Sequence, residues 1–138
     1  MKQDKILTLK GMLVSGEVAR INLFDGKFTT AYRILSFSIA PNDILTSEQC
    51  MMKMMTVEKA HGTRWFWDRN DEVGWSAWNV PINSRFGQYS RVDKEALIVE
   101  DLFLDCSADT GELVNYMIEL EKVNISDWKG ALAMVRNA

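Results

Sequence analysis

Apolar residues recur along this chain in short blocks with strand-like spacing, and turn chemistry separates the blocks. Residues 7–24 are rich in aliphatic and β-branched side chains, and Gly11 and Gly16 predict a bend, bulge or hairpin turn within them. Asp25-Gly26 is a hairpin-type dipeptide leading into residues 28–40. There Phe28, Thr30, Tyr32, Ile34 and Ser36 fall on one face of an ideal strand. Leu35, Phe37 and Ile39 fall on the other, or line both sides of a buried strand. Pro41-Asn42-Asp43 ends the element as a turn.

Residues 50–58, CMMKMMTVE, pose a choice, since methionine is a good helix former. The segment is bounded too tightly for a useful helix, so a strand is expected. A short strand is also expected over 63–68, then a turn at Asp68-Arg69-Asn70-Asp71 and a strand over 73–80 closed by Pro81. Residues 83–95 look like a long polar loop with one helical turn after Asp93. Residues 97–106 predict one continuous strand, with Ile98, Leu102 and Leu104 on one face and Val99, Asp101, Phe103 and Asp105 on the other. The clearest period-2 pattern lies in 112–125, where Val114, Tyr116, Ile118 and Leu120 alternate with Asn115, Met117, Glu119 and Glu121. The pattern then changes. Ser126 is a good N-cap, and Trp128, Leu132 and Val135 recur at helical spacing, so a short helix is predicted over 127–136 with its apolar stripe on the sheet.

These elements define an all-β class, with an antiparallel β-sandwich and a short C-terminal helix as the leading architecture and a small closed barrel as the second. A parallel α/β fold is disfavoured because no helix-length amphipathic segment separates the strands. The length, 138 residues, suits a single domain spanning 1–138, and no Pro/Gly/Ser-rich linker or repeat divides it. A core at this size buries roughly two-thirds of the unfolded chain's surface without needing a metal or disulfide staple.

Composition narrows the chemistry. Sixteen basic against nineteen acidic side chains leave a net charge of -3, which argues against a surface built to neutralise many phosphates. The N-terminal apolar run is too short for a secretory signal, and no stretch is long enough to span a membrane. One histidine and two cysteines make no zinc site of usual spacing. Cys50 and Cys106 are expected to be small buried hydrophobes. His61, beside Gly62, is expected to be an exposed turn residue, and no nucleophile-elbow or phosphate-loop motif accompanies it. Asp101 and Asp105, on one strand face, would stand roughly 13 Å apart by strand rise, beyond the separation that glycosidases use. Asp68, Asn70, Asp71 and Glu72 are oxygen-rich but lack the spacing of a calcium loop, and a turn explains them. No cofactor is implied.

The tryptophans are the unusual feature. Trp65 and Trp67 are expected to meet Trp75 and Trp78 across a hairpin as core packing; exposed rings would instead make a sugar-binding platform or a protein interface. Single-stranded nucleic acid is a weak reading, since Asp68, Asp71 and Glu72 offset Arg64 and Arg69.

The ending LVNYMIELEKVNISDWKGALAMVRN, preceded by Trp67-Asp68, Gly74-Trp75 and Val92-Asp93, resembles the C-terminal half of small β-sandwich virion proteins of tailless bacteriophage-like viruses. That resemblance implies a jelly-roll-like sandwich that works by assembling, and it carries over no active-site residue. The expected function is therefore that of a structural, non-enzymatic virion (capsid) component. It would be made in the host cytoplasm, with itself and other virion proteins as partners. A carbohydrate- or ligand-binding module using exposed tryptophans is the alternative, and a small barrel enzyme using carboxylates a third. Arg85, Phe86, Tyr89 and Arg91, in the polar loop, and Trp128 and Leu132, in the helix, are the candidate interface residues, because arginine and aromatic side chains dominate interface hot spots.

Overall fold

The computed structural model describes residues 5–26, 29–45, 49–79, 87–109, 111 and 113–136. Within them the order is β1 (Ile6–Leu13), β2 (Val18–Ile21), β3 (Thr30–Pro41), β4 (Gln49–Met55), β5 (Glu72–Asn79), β6 (Gly87–Val92), β7 (Leu97–Ile98), β8 (Leu102–Ala108), β9 (Val114–Asn124) and α1 (Asp127–Arg136). The strands form two antiparallel sheets, ordered β1-β9-β3-β7 and β2-β8-β4-β5-β6. An all-β sandwich is what the spacing of apolar blocks predicts.

β9 is the centre of the first sheet, between β1 and β3. Its alternation is realised: Val114, Ile118 and Leu120 are buried, while Met117 and Glu119 face out. The methionine-rich segment is indeed a strand, β4, and Met52, Met54 and Met55 are all buried. Strand wins over helix there because an extended chain offers apolar neighbours to both faces. Burying each such side chain contributes roughly 1.5–3 kcal/mol. Together with Ile34, Phe37, Leu102, Leu104 and Cys106, Met52 and Met54 form one continuous core between the sheets. Cys50 and Cys106 are both buried.

Several expectations are corrected. The simple alternation over 28–40 fails at a bulge: Ile34 pairs with Leu120 and Ser36 with Glu119, so Leu35 is the extra residue. Inward positions are even-numbered before it and odd-numbered after it, which lets Ile34, Phe37 and Ile39 all be buried. The glycine turn after β1 makes no hairpin either. Gly16, at φ 87°, sends the chain across to the other sheet, where its amide donates to the Cys106 carbonyl at 2.8 Å. Ser15 fastens the same crossing, exchanging two bonds with the Ala108 backbone. The polar segment after Pro81 contains a strand, β6, whose outer edge and faces are largely exposed. An edge strand needs no apolar face, so no period marks it.

The single strand expected over 97–106 is two strands in different sheets, and Asp101 is the corner between them. Its carboxylate accepts from the amides of Leu23 at 2.8 Å and Phe24 at 3.1 Å, and from Arg20 Nε at 2.7 Å. Burial alone would push this carboxyl up. The Phe24 amide, the Arg20 guanidinium and the Leu23 amide outweigh it and hold the group below its ordinary range. A carboxyl depressed in the folded state contributes stability above its unfolded value, and that contribution is lost as pH falls through the folded one. Asp101→Asn should therefore cost about 1–3 kcal/mol at neutral pH. Urea melts should show the variant and wild type converging below the ordinary Asp value of 3.8; a constant gap down to strong acid would contradict the assignment.

α1 begins at Ser126, whose hydroxyl accepts from the Lys129 amide at 3.2 Å. The helix packs beside β7. Leu132 is half-exposed and Val135 is 76% exposed, so the expected stripe is not simply laid on the sheet.

Candidate functional site

The register of the second sheet sorts its side chains by face. Met52, Met54 and Leu104 point inward, and Lys53, in line with Asp105 and Trp75, points outward. Trp75 in turn lies opposite Arg91, and Ala77 opposite Tyr89. An outward row therefore runs Asp105, Lys53, Trp75, Arg91. Residues 56–71, between β4 and β5, are tied down over this row, and the strand expected over 63–68 does not form.

The reason is a set of buried charges. Glu72 Oε1 accepts from the Phe66 amide at 2.8 Å and from Trp75 Nε1 at 3.1 Å, taking the loop's backbone donor before any neighbouring strand can. Lys53 Nζ lies 3.4 Å from Glu72 Oε2 and donates to the Arg64 carbonyl at 2.8 Å. Asp105 accepts from the Gly62 amide at 2.9 Å and contacts His61 Nδ1 at 2.5 Å. Lys59 pairs with Asp71. Glu72, Asp105, Lys53 and Asp71 are all buried. Removing such charges from water is costly, and the cost is offset only because each finds partners. The Phe66 ring completes the pinning, with the Arg69 guanidinium 3.9 Å above it.

His61 is exposed, as expected, but it is not free: a carboxylate from β8 holds it. Nor do Asp101 and Asp105 share a strand face, since Asp101 lies at the corner before β8 and Asp105 within β8. Asp71 and Glu72, two members of the suspected oxygen-rich set, face lysines. Among the described residues no group of three His, Cys, Asp or Glu side chains is placed to hold a metal ion.

The pinned loop presents aromatic rings. Trp67 stacks on Tyr89 with centroids 6.2 Å apart and planes 12° from parallel, and it meets Trp75 edge-on at 5.9 Å. Trp65 lies 5.7 Å from Tyr89. Trp75 is buried whereas Trp67 is 61% exposed, so the expectation that both are core residues is corrected for Trp67. Trp78 lies elsewhere. It faces inward, where it lines, with Ile39, Gln88 and Tyr116, a cavity of about 550 Å³ between the sheets. Gly11 also lines this cavity, and a Cβ there would come within 2.5 Å of the Tyr116 hydroxyl.

Of the candidate interface residues, Tyr89 and Arg91 stand on β6, exposed, in the outward row beside the tryptophans. Leu132 is half-exposed on α1, and Trp128 lies in the same helix. Arg85 and Phe86 lie outside the described residues. Sequence reasoning missed the pairings of His61 with Asp105 and of Lys53 with Glu72. A lysine amid apolar strand residues and an acid at a strand start were the only signals. No known family matches the chain, nor does any curated protein or solved structure.

Proposed function

We propose that this chain is a jelly-roll structural protein that works by self-association, as a virion component alongside other virion proteins. The pairing pattern supports the jelly-roll reading. β4 pairs with β5, β3 with β7, β2 with β8 and β1 with β9, so the pairs nest like one long hairpin rolled into two sheets, with β6 added at an edge. Viral capsid domains use that architecture, as do lectins.

One observation carries the assembly reading, the edge of β1, which no other strand among the described residues covers. It is eight residues long, has Lys10 as its sole charge, and exposes Ile6, Leu7 and Met12, with the exposed Met117 of β9 opposite Lys10. The other sheet edges are guarded or short: β2 has four residues including Arg20, β7 has two and lies by α1, and β6 carries Arg91. A long apolar edge without proline or bulge invites a further strand. In a homo-oligomer that strand is a second copy of β1, which closes a two-fold axis with each edge covering the other. No helix among the described residues is long and apolar enough to cross a membrane.

Ile6 and Met12 share the outer face, so lysines placed there charge the edge without touching the core. Wild type should sediment as an oligomer whose size grows with concentration. Ile6→Lys with Met12→Lys should weaken association at least about tenfold, roughly 1.4 kcal/mol, with an unchanged melting midpoint. A wild type that stays monomeric at high concentration overturns the assembly reading. An equally associated double variant removes β1 as its edge.

A further inference from the structure

We propose that the aromatic ledge of Trp67, Tyr89 and Trp65 binds a glycan whose sugar rings stack on it and whose carboxylate is met by Arg91. Tyr89 covers one face of the Trp67 indole in a near-parallel stack and Trp75 meets it edge-on, yet the side chain remains 61% exposed. The open area is therefore the opposite, outward face. A flat apolar face of this kind, with polar groups at its rim, matches the flat C–H face of a pyranose and the hydroxyls around it.

Two further observations set the ligand class. The ledge is rigid before anything binds, because the buried side chains of Glu72, Lys53 and Asp105 hold the backbone of residues 62, 64 and 66 through partly buried bonds. Little ordering cost is then left for the binding step. The charges around it are also unevenly used. Asp71, Glu72 and Asp105 face Lys59, Lys53 and His61, whereas among the described residues Arg91 has no carboxylate partner and stands directly across the ladder from Trp75. The guanidinium is left for an outside carboxylate, which it engages with paired N–H donors. Asp68, next to Trp67 and exposed, supplies an acceptor for sugar hydroxyls. With Asp68 beside the ring and Arg91 across from Trp75, the ligand presents hydroxyls to the first and a carboxylate to the second.

The ledge stands on the sheet opposite β1, so glycan binding and assembly are tested separately. The test is a titration of tryptophan fluorescence and heat with hexagalacturonate, with cellohexaose as the neutral probe and a thymidine oligonucleotide as the nucleic-acid probe. Hexagalacturonate should bind most tightly and should weaken as salt rises. Trp67→Ala, at an exposed site, should melt like wild type and lose at least about tenfold in affinity. Arg91→Gln should lower affinity for hexagalacturonate and leave cellohexaose unchanged. Failure of both sugars to bind wild type overturns the proposal, as does full affinity in Trp67→Ala. Preference for cellohexaose overturns the acidic assignment, and preference for the oligonucleotide overturns the glycan itself.

Discussion

Lys53→Met should lower the free energy of unfolding by about 3–5 kcal/mol, the expected loss when one partner of a buried pair is removed. Two deficits appear at once. Glu72, which is 2% exposed, keeps its charge without its cation, and the Arg64 carbonyl loses its donor. Methionine fills nearly the same volume, so no cavity contributes. Lys53→Met with Glu72→Gln should be less destabilised than Lys53→Met alone. The Gln oxygen still accepts from the Phe66 amide and Trp75 Nε1 while the stranded charge is gone. Denaturant melts of wild type, both single variants and the double variant close the cycle. A loss under about 1 kcal/mol for Lys53→Met would mean that water reaches Glu72 and that the pair does not pin the loop.

That network also marks the limit of what the sequence discloses. β9 was legible because it is central and has one dry face, so Val114, Ile118 and Leu120 spell out period 2. β4 was legible for the related reason that both its faces are covered. Where a long-range partner decides the local conformation, the pattern misleads. Residues 63–68 have the composition of a strand, but Glu72 takes the Phe66 amide and keeps the segment irregular. His61 is solvent-facing as its sequence context suggests, but its partner Asp105 of β8 is distant in sequence and leaves no local sign. Residues 97–106 read as one strand because the apolar blocks on either side of Glu100-Asp101 are both largely buried, and the claim of Leu23 and Phe24 on Asp101 explains why the strand breaks there. The extra residue at Leu35 is invisible in a different way, since a bulge reverses face parity without altering composition. β6 left no signal at all, because its edge position removes the need for apolar alternation. The candidate site consists almost wholly of these illegible parts.

Trp75→Ala and Trp67→Ala should separate by several kcal/mol although the two rings touch. Trp75 is 6% exposed, stands on β5 between β4 and β6, and uses its indole N–H to hold Glu72. Truncating it removes a large apolar surface, leaves a cavity beneath the pinned loop and deprives a buried carboxylate of one donor; about 3–5 kcal/mol is expected. Trp67 keeps most of its surface in water, so its loss removes one stacked and one edge contact and should cost no more than about 1 kcal/mol. Thermal and urea melts of the two variants, with tryptophan fluorescence as a second probe, measure the gap. Equal losses would mean that the loop and sheet unfold as one unit supported from both rings. A large loss confined to Trp67→Ala would reverse the assignment of core and surface. The expected ordering places the stability of this face in the ring beneath and leaves the ring above it free to meet a ligand.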